Sequence, residues 1–359
     1  MNMILDLNRY FSARSPLPRA ARAIARGHIT IGFVGGSITE PGDERRWSDK
    51  VVDWLVARFP GLTVDVENAA KGATGTLSAV FRMEEDILCY NCDLVLVETA
   101  VNDPSACWGP GREGLLRKLL RGPGDLLITY TYQQSWYDDL INDRLPDSIA
   151  DWEKLAEHYR ISSVNMGKYA FDLVMRGNMR WEEWLPDGLH PEHAGSRLYA
   201  EPVCALLEAE LTHPGDYTCS IPAPLFADHW ESTYSLPFDA IRRVGAWRQI
   251  HERRVPSVTH VLTTSSMTSS LRFSFTGRGL VFHVMMNIRH SAYRVRIDGG
   301  EWIERADPVP EWAIHATEWV REDPPIWVPS GPHTVEIQPF FAPNALGSLF
   351  ELCRVGIIE

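Results

Sequence analysis

Apolar and polar positions over the first 212 residues follow two alternating patterns. Short apolar runs rich in β-branched residues, such as ITIGFV at 29–34, are typical of buried parallel strands. Longer segments between them carry apolar residues every three or four positions, as in WSDKVVDWLVARF at 47–59, which is typical of helices. Further strands are predicted at 62–67, 93–99, 126–132 and 161–164, and further helices at 76–88, 113–120, 148–159 and 192–211. This alternation predicts a parallel sheet with helices on both faces.

The pattern changes after residue 212. Residues 213–230 are rich in Pro, Gly and turn-forming residues, which favours a linker. From residue 231 to residue 359 the helical periodicity is absent, and short strand-like runs are separated by turn signals such as Asp298-Gly299-Gly300. Strands are predicted at 271–275, 280–286, 293–297, 326–328, 333–338 and 350–358. The sequence therefore predicts an α/β domain over 1–212, a linker over 213–230 and an all-β sandwich over 231–359.

Composition and charge exclude several classes of protein. Hydrophobic residues make up 45% of the 359 positions and charged residues 23%, which are ordinary values for a globular protein of two domains. The 35 Lys and Arg against 47 Asp and Glu give a net charge of −12 without a basic cluster, so neither nucleic acid nor an anionic membrane is expected as a partner. The N-terminus lacks the apolar segment of a signal peptide, so a cytoplasmic location is expected.

Six cysteines are too few for a disulfide-stabilised scaffold of this length. Cys89 and Cys92 form a C-x-x-C pair, but no second pair stands at the spacing of a zinc site. We therefore expect buried, inert thiols at these two positions and no metal site.

The first predicted strand runs into Val34-Gly35-Gly36-Ser37. Glycines directly after a buried strand let the chain turn sharply, which leaves Ser37 at the carboxyl edge of the sheet, where open α/β folds bind their ligands. A serine in this place can act as a nucleophile, and its own N–H can face a developing oxyanion. The same glycines loosely imitate a phosphate-binding loop, although G-x-G-x-x-G and the Lys-Ser/Thr ending of a P-loop are absent. Both interpretations stay open for this element alone.

Two further loops carry candidate chemistry. Asn102 follows the strand at 93–99, where a side-chain amide can donate to an oxyanion, although Asn-Asp-Pro is also an ordinary turn signal. Asp187 and His190 stand three apart before the last helix, with His as a general base and Asp fixing its tautomer, although this loop can equally serve to begin the helix. Together with Ser37 they would meet at one sheet edge and supply the groups that acyl transfer requires.

The motifs GGSIT, AVND and DGLHP, in this order over residues 33–191, resemble the blocks of the SGNH (GDSL-type) hydrolases. This resemblance implies a flavodoxin-like, three-layer α/β sandwich over about the first 210 residues. It also implies that Ser37 is the nucleophile, Asn102 an oxyanion-hole donor, Asp187 the orienting acid and His190 the base. No metal or organic cofactor is implied.

The family's remaining oxyanion donor is the backbone N–H of a glycine after the second strand. Many members have it five places after an asparagine, here Asn68, and this chain has Ala73 there with Gly72 just before it. A backbone N–H does not require glycine where φ is ordinary, so the donor is either Gly72 or Ala73. Ala100 also replaces a glycine often found two places before the asparagine of the third block, which suggests a sub-branch of the family.

The resemblance implies a serine esterase acting on a small-molecule or oligosaccharide ester. The GGSIT spelling is similar to that of branches acting on O-acetylated carbohydrates. The C-terminal region resembles the galactose-binding-like, jelly-roll-like sandwiches that accompany carbohydrate esterases. Removal of an acetyl group from a carbohydrate is therefore expected. The alternatives are a lysophospholipase or thioesterase, an acyltransferase with the same triad, and a nucleotide- or glycan-binding protein with an inactive triad.

Overall fold

A computed structural model gives the structure of most of the chain. The residues it describes are 5–40, 42, 46–103, 109–212, 220–252, 255, 258–311, 314, 319–340 and 347–359. Residues 213–219 of the predicted linker lie outside this set. The chain divides into two units, Met1–Glu231 and Ser232–Glu359.

The first unit is built on one sheet. Within the described residues its strands are β1 (Phe11–Ser12), β2 (His28–Gly35), β3 (Thr63–Asn68), β4 (Leu94–Glu98), β5 (Asp125–Tyr130) and β6 (Ser162–Asn165). Their spatial order is β1-β6-β5-β4-β2-β3, and β1 alone among them is antiparallel to its neighbour. The five parallel strands therefore have the flavodoxin-like order, in which the chain runs from β2 to β3 at one edge and then crosses back over β2 to place β4, β5 and β6 on its other side. This confirms the predicted parallel α/β fold.

Helices cover the sheet on both faces. In chain order they are α1 (Pro18–Ala25), α2 (Trp47–Arg58), α3 (Thr76–Ala79), α4 (Met83–Asp86), α5 (Gly109–Leu120), α6 (Tyr137–Ile141), α7 (Asp147–Tyr159), α8 (Met166–Met175), α9 (Trp181–Trp184) and α10 (His193–Leu211). Helix α10 packs with α1, α2 and α8, whereas α5 packs with α3 and α7, which gives the two outer layers. The single helix predicted at 76–88 is wrong, because this segment forms the short helices α3 and α4 instead. Helices α1 and α8 were not predicted.

The segment between α10 and the second unit is partly described. Residues 220–231, which we call the α5 strap, pack along α5. Glu113 accepts two backbone N–H groups of the strap at 2.6 and 2.7 Å, and Arg117 donates to the carboxylate of Glu231 at 2.6 Å. Trp230 is 1% exposed; its ring lies where a side chain on Gly111 would project, and its backbone lies where a side chain on Gly114 would project. The described part of the predicted linker thus packs within the first unit.

The second unit is antiparallel throughout its described strands. These are β7 (Thr233–Ser235), β8 (Arg242–Val244), β9 (Arg248–His251), β10 (His260–Thr264), β11 (Ser270–Met286), β12 (Ala292–Ile297), β13 (Ile303–Arg305), β14 (Trp319–Glu322), β15 (Ile326–Phe340) and β16 (Phe350–Ile358). The main path is β13-β12-β15-β11-β16-β10-β9. The predicted turn at Asp298-Gly299 is confirmed, since both residues have positive φ, 52° and 71°, between β12 and β13. The all-β prediction is also confirmed.

Strands β11 and β15 are each longer than predicted. Gly277 and Gly331, which lie between the predicted strands and are locally typical of turns, instead lie opposite each other in the β11–β15 ladder. The register shifts between Gly277 and Gly279. Before this point β11 pairs with β8, and after it β11 pairs with β16 and β14. A bulge of this kind bends a strand and increases its twist, which accompanies the change of β11's partners along its length.

The two cysteines of the C-x-x-C pair differ in their exposure. Cys92 is buried, and burial raises the pKa of its thiol to about 12, as expected for an inert thiol. Cys89 is exposed, so the prediction of two buried thiols is wrong for that residue.

Within the part of the chain that the structure describes, no helix is long and apolar enough to cross a bilayer. The cytoplasmic location stays a prediction.

Candidate active site

Two separate loops bring Ser37, Asp187 and His190 together. Ser37 lies in the turn of residues 36–40 that directly follows β2, which we call the Ser37 turn. Asp187 and His190 lie between α9 and α10. Ser37 Oγ is 2.8 Å from His190 Nε2, and His190 Nδ1 is 2.7 Å from Asp187 Oδ2. Residues that are 153 positions apart in the chain therefore form one hydrogen-bonded series.

The loop that carries His190 is held by Asp187 itself. Asp187 Oδ1 accepts the backbone N–H groups of Leu189 and His190 at 2.9 and 2.7 Å, while Oδ2 faces the imidazole. The chain can turn this tightly because Gly188 has φ +80°, a conformation that side chains disfavour. Partial burial raises the pKa of the Asp187 carboxyl, but these hydrogen bonds outweigh that effect and the pKa lies below its ordinary value. Asp187 is consequently ionised at neutral pH.

The ionised Asp187 determines where the histidine proton lies. A carboxylate only accepts hydrogen bonds, so His190 Nδ1 must be the protonated nitrogen of the neutral ring. Nε2 is then the acceptor and receives the hydrogen bond from the Ser37 hydroxyl. A serine whose proton is directed at a basic nitrogen is an activated nucleophile.

Asn102 lies next to the Ser37 turn. It belongs to the turn of residues 99–103 after β4, the Asn102 turn, in which the N–H groups of Asn102 and Asp103 both donate to Thr99 O at 3.0 Å. A Cβ placed on Gly36 would lie 2.0 Å from Asn102 Oδ1. The residue before Ser37 must therefore be glycine for the Asn102 side chain to come this close.

The Asn102 turn is anchored by a buried carboxylate. Asp103 is 6% exposed and accepts hydrogen bonds from Thr76 N, Thr76 Oγ1 and Thr99 Oγ1 at 2.7–2.9 Å. Trp152 Nε1 and the fully buried Arg112 donate to it at 3.2 and 3.4 Å. With so many donors the carboxylate is well satisfied, and the turn that presents Asn102 is rigid.

Gly72 and Ala73 differ in their backbone conformation. A Cβ on Gly72 would lie 3.9 Å from Ser37 Cβ and 2.9 Å from Glu40 Oε2, so this residue borders Ser37. Ala73 has φ +58°, in the left-handed region that disfavours a side chain, whereas Gly72 is not in that region. Ala73 therefore does not meet the condition of an ordinary φ under which alanine replaces glycine without strain. Both N–H groups stay candidates for the backbone donor.

Sequence reasoning missed Glu98 and Thr39. Glu98 is 1% exposed, and its Oε2 accepts the hydroxyl of Thr39 at 2.9 Å while its Oε1 accepts that of Thr131 at 2.8 Å. Burial raises the pKa of Glu98 to about 7, although the hydrogen bonds from Thr131, Thr39 and the Gly36 N–H oppose the rise. A lone carboxylate that ends the apolar run LVLVE was the signal that could have found it.

An open cleft of about 520 Å³ begins at Asn102. Gln133, Asp139 and Asp147 contribute amide and carboxylate groups to its wall, and Trp136 contributes an aromatic side chain. Such a wall can hydrogen-bond hydroxyl groups and offers no long apolar surface.

Solved structures of other proteins have the same fold as this chain. Two of them are of a two-domain esterase active on acetylated mannans, and in one of the two the esterase was co-crystallised with mannopentaose. Each is 21% identical to this chain, covers 99% of both chains and has a TM-score of 0.86. An acetyl xylan esterase is 19% identical and covers 50% of this chain and 100% of its own, with a TM-score of 0.44. No family model and no curated protein matches the sequence. The likeness at 0.86 extends over both units and confirms the predicted fold class of each.

Proposed function

We propose that the first unit is a serine esterase that removes acetyl groups from a carbohydrate. The observation that carries the proposal is the unbroken series from Ser37 Oγ through both ring nitrogens of His190 to Asp187. Nucleophile, base and orienting acid stand at hydrogen-bonding distance, which is the geometry that acyl transfer requires.

The reaction begins when Ser37 Oγ attacks the ester carbonyl carbon and its proton passes to His190 Nε2. Asp187 stabilises the imidazolium that forms. His190 then returns the proton to the leaving sugar oxygen, and the acetyl group stays on Ser37. A water molecule, deprotonated by His190 in the same way, attacks the acetyl-serine ester and releases acetate with the free serine.

The negative charge on the carbonyl oxygen is held by three donors in this scheme. They are the Ser37 N–H, the N–H of Gly72 or Ala73, and the side-chain amide of Asn102. Support comes from the close approach of Asn102 to Gly36 and of Gly72 to Ser37. Donors that are fixed before the reaction stabilise a developing charge without reorganisation.

The cleft beside Asn102 supports a carbohydrate as the alcohol. Sugar hydroxyls can donate to Asp139 and Asp147. Arg144 pairs with Asp139, so it is the Asp147 carboxylate that disfavours an anionic lipid headgroup. The solved structure with the same two-unit fold belongs to an esterase active on acetylated mannans, which points in the same direction.

The test is acetate release from acetylated manno- and xylo-oligosaccharides, run beside p-nitrophenyl esters with acyl chains of increasing length. Ser37→Ala is the inactive control, and Ser12→Ala, a serine on the edge strand β1, is the matched control. We expect preference for acetyl esters of sugars and loss of release by several orders of magnitude in Ser37→Ala.

Other outcomes would replace the proposal. Preference for long acyl chains would indicate a lysophospholipase or thioesterase. Transfer of acetyl to a sugar acceptor without free acetate would indicate an acyltransferase. Sugar binding without Ser37-dependent chemistry would indicate a binding protein with an inactive triad.

A further inference from the structure

We propose that Glu98 is a positioning residue, whose buried carboxylate holds the Ser37 turn in the conformation that aims Ser37 at His190. This inference rests on the proposed role of Ser37 as the nucleophile. It deepens that role by identifying the group that keeps the nucleophile in place. Glu98 itself lies below the turn and is not expected to touch the substrate.

The Glu98 carboxylate accepts hydrogen bonds from residues on both sides of Ser37. The N–H of Gly36, the preceding residue, donates to Glu98, and so does the hydroxyl of Thr39 at 2.9 Å. Trp47 Nε1 donates to Thr39 Oγ1 at 3.0 Å, which leaves the Thr39 hydroxyl proton for Glu98. The direction of each hydrogen bond is thus fixed, and Ser37 lies between two anchored neighbours.

The opposite side of the carboxylate is held by the next strand. Thr131, directly after β5, donates to Oε1 at 2.8 Å. Glu98 ends β4, which lies between β2 and β5, so one side chain ties the Ser37 turn to the edge of the sheet. Thr131 is the donor to Glu98 that lies outside the Ser37 turn, and it is therefore a natural control.

Three donors facing two oxygens suit an ionised carboxylate. A carboxylate only accepts hydrogen bonds, and bonds to it are about twice as strong as those between neutral groups. An amide or a protonated carboxyl would bring donors of its own against these donors. The neighbouring titratable groups are Asp103 of the Asn102 turn and the buried Tyr199 of α10, and Asp103 also favours the protonated form of Glu98.

If Glu98 must be ionised, the reactivity of Ser37 depends on the protonation of two groups, His190 and Glu98. We call the ionisation of Glu98 the second proton step. His190 must be unprotonated to accept the serine proton, and Glu98 must be ionised to hold the turn. Because burial raises the pKa of Glu98 to about 7, this second step falls in the range where activity is measured. The acid limb of the pH–rate profile should therefore be steeper than a single titration allows.

The test is the rate at which a fluorophosphonate labels Ser37 between about pH 5 and 9, which measures nucleophile reactivity without a sugar substrate. The variants are Glu98→Gln, Thr39→Val and Thr131→Val. We expect Glu98→Gln to lower the plateau about tenfold and to make the acid limb less steep than that of the wild type, because the titration of Glu98 is removed. Thr39→Val should lose a similar factor. Turnover of acetylated substrate should show the loss in kcat and not in KM.

Thr131→Val provides the contrast, because it deletes the same kind of hydrogen bond from the same carboxylate. Its plateau should stay within about twofold of wild type, since the Ser37 turn keeps both of its own bonds. Its second proton step should move to higher pH, because the lost hydrogen bond lowered the pKa of Glu98.

Equal plateaus and equal slopes for wild type and Glu98→Gln would overturn the inference. So would equal losses in Thr39→Val and Thr131→Val, since that would indicate a general packing role. If the wild type is labelled at Ser37 but acetylated sugars are not hydrolysed, only the proposed substrate is wrong. If Ser37 is not labelled in the wild type, the proposed function and this inference are both wrong.

Discussion

Single residues set the proton positions of the site. Asp187 lies next to His190 and is held ionised by three N–H groups, so the imidazole has only one tautomer that satisfies its neighbours. The sign of its pKa shift has a direct consequence for stability. Because the pKa is depressed in the folded chain, the stabilisation is present at neutral pH and is lost as the pH falls through that depressed value.

Asp187→Asn should leave the fold intact and lower kcat by about 10³–10⁴, because an amide can donate to Nδ1 and so favour the wrong tautomer. Steady-state kinetics on an acetylated substrate and a thermal melt together measure this. Asp143→Asn makes the same change on a carboxylate that is 93% exposed, and it should keep wild-type kinetics. Similar losses in both variants would contradict the assignment of Asp187.

At the scale of elements, sequence patterns predicted most of the first unit. Strands β2, β4 and β5 have long apolar runs because they are buried in the sheet, and the helices between them show clear periodicity. Strand β3, at the edge of the sheet, is more exposed and its sequence TVDVEN alternates apolar and polar residues. Helix α8 was missed, and the helix at 76–88 was wrong because tertiary contacts in that segment, and not periodicity, determine where each turn ends. Strands β11 and β15 were each predicted as two strands, since Gly277 and Gly331 signal turns locally but pair with each other across the ladder.

The candidate site was predictable to the extent that it consists of side chains in ordered motifs. Ser37, Asp187 and His190 were named from the sequence, and the structure brings them within hydrogen-bonding distance. The contacts that hold these motifs join residues that are far apart in the sequence. Glu98 reaches the Ser37 turn because the register of β2 against β4 places it opposite Gly35, and Asp103 is held by donors from α3, α5 and α7. Neither arrangement can be read from a local sequence pattern.

The two turns interlock, and this is testable by a double-mutant cycle. Gly36→Ala should destabilise the protein by about 1–3 kcal/mol, because the new Cβ would overlap Asn102 Oδ1. In an Asn102→Ala background that atom is absent, and the next contact, Thr74 O, lies 3.4 Å away. The same substitution should then cost less than about 1 kcal/mol. Urea unfolding of the four proteins measures the coupling.

Additive costs in that cycle would mean that the two turns do not touch. Activity provides a separate reading. Asn102→Ala alone should lower kcat by about 10²–10³ if its amide stabilises the oxyanion.

At the scale of the whole molecule, the first unit extends beyond its last helix. The α5 strap supplies partners to Glu113 and Arg117, which are both buried, and its Trp230 covers the glycine face of α5. A unit that ended at α10 would expose this face and leave a buried carboxylate without its N–H donors.

A fragment of residues 1–231 should therefore be much more stable than one of residues 1–212. Loss of the buried Trp230 costs about 3–5 kcal/mol, and each lost partner of a buried polar group costs about 1–3 kcal/mol more. Thermal melts of the two fragments should differ by about 10 °C or more. Equal melting temperatures would place the end of the unit at α10.

The burial of Glu98 makes the stability of the folded protein depend on pH. Its pKa is raised in the folded chain from 4.5 to about 7, so its contribution to stability is fully present below its unfolded pKa and is lost as the pH rises through about 7. The loss is about 3 kcal/mol when the titration is complete. The free energy of unfolding of Glu98→Gln, relative to that of the wild type, should consequently rise by about this amount between pH 5 and 9, as measured by urea unfolding. A difference in stability that does not change with pH would contradict the raised pKa.

The distance between Ser37 and His190 along the chain, 153 residues, bears on biosynthesis. A ribosome delivers Ser37 early and His190 late, and the α5 strap follows later still. In a nascent chain Ser37 therefore lacks its hydrogen bond to His190 until nearly the whole first unit has emerged. Reaction with a serine-directed probe would then report completed folding, so that the same reagent can time co-translational assembly as well as chemistry.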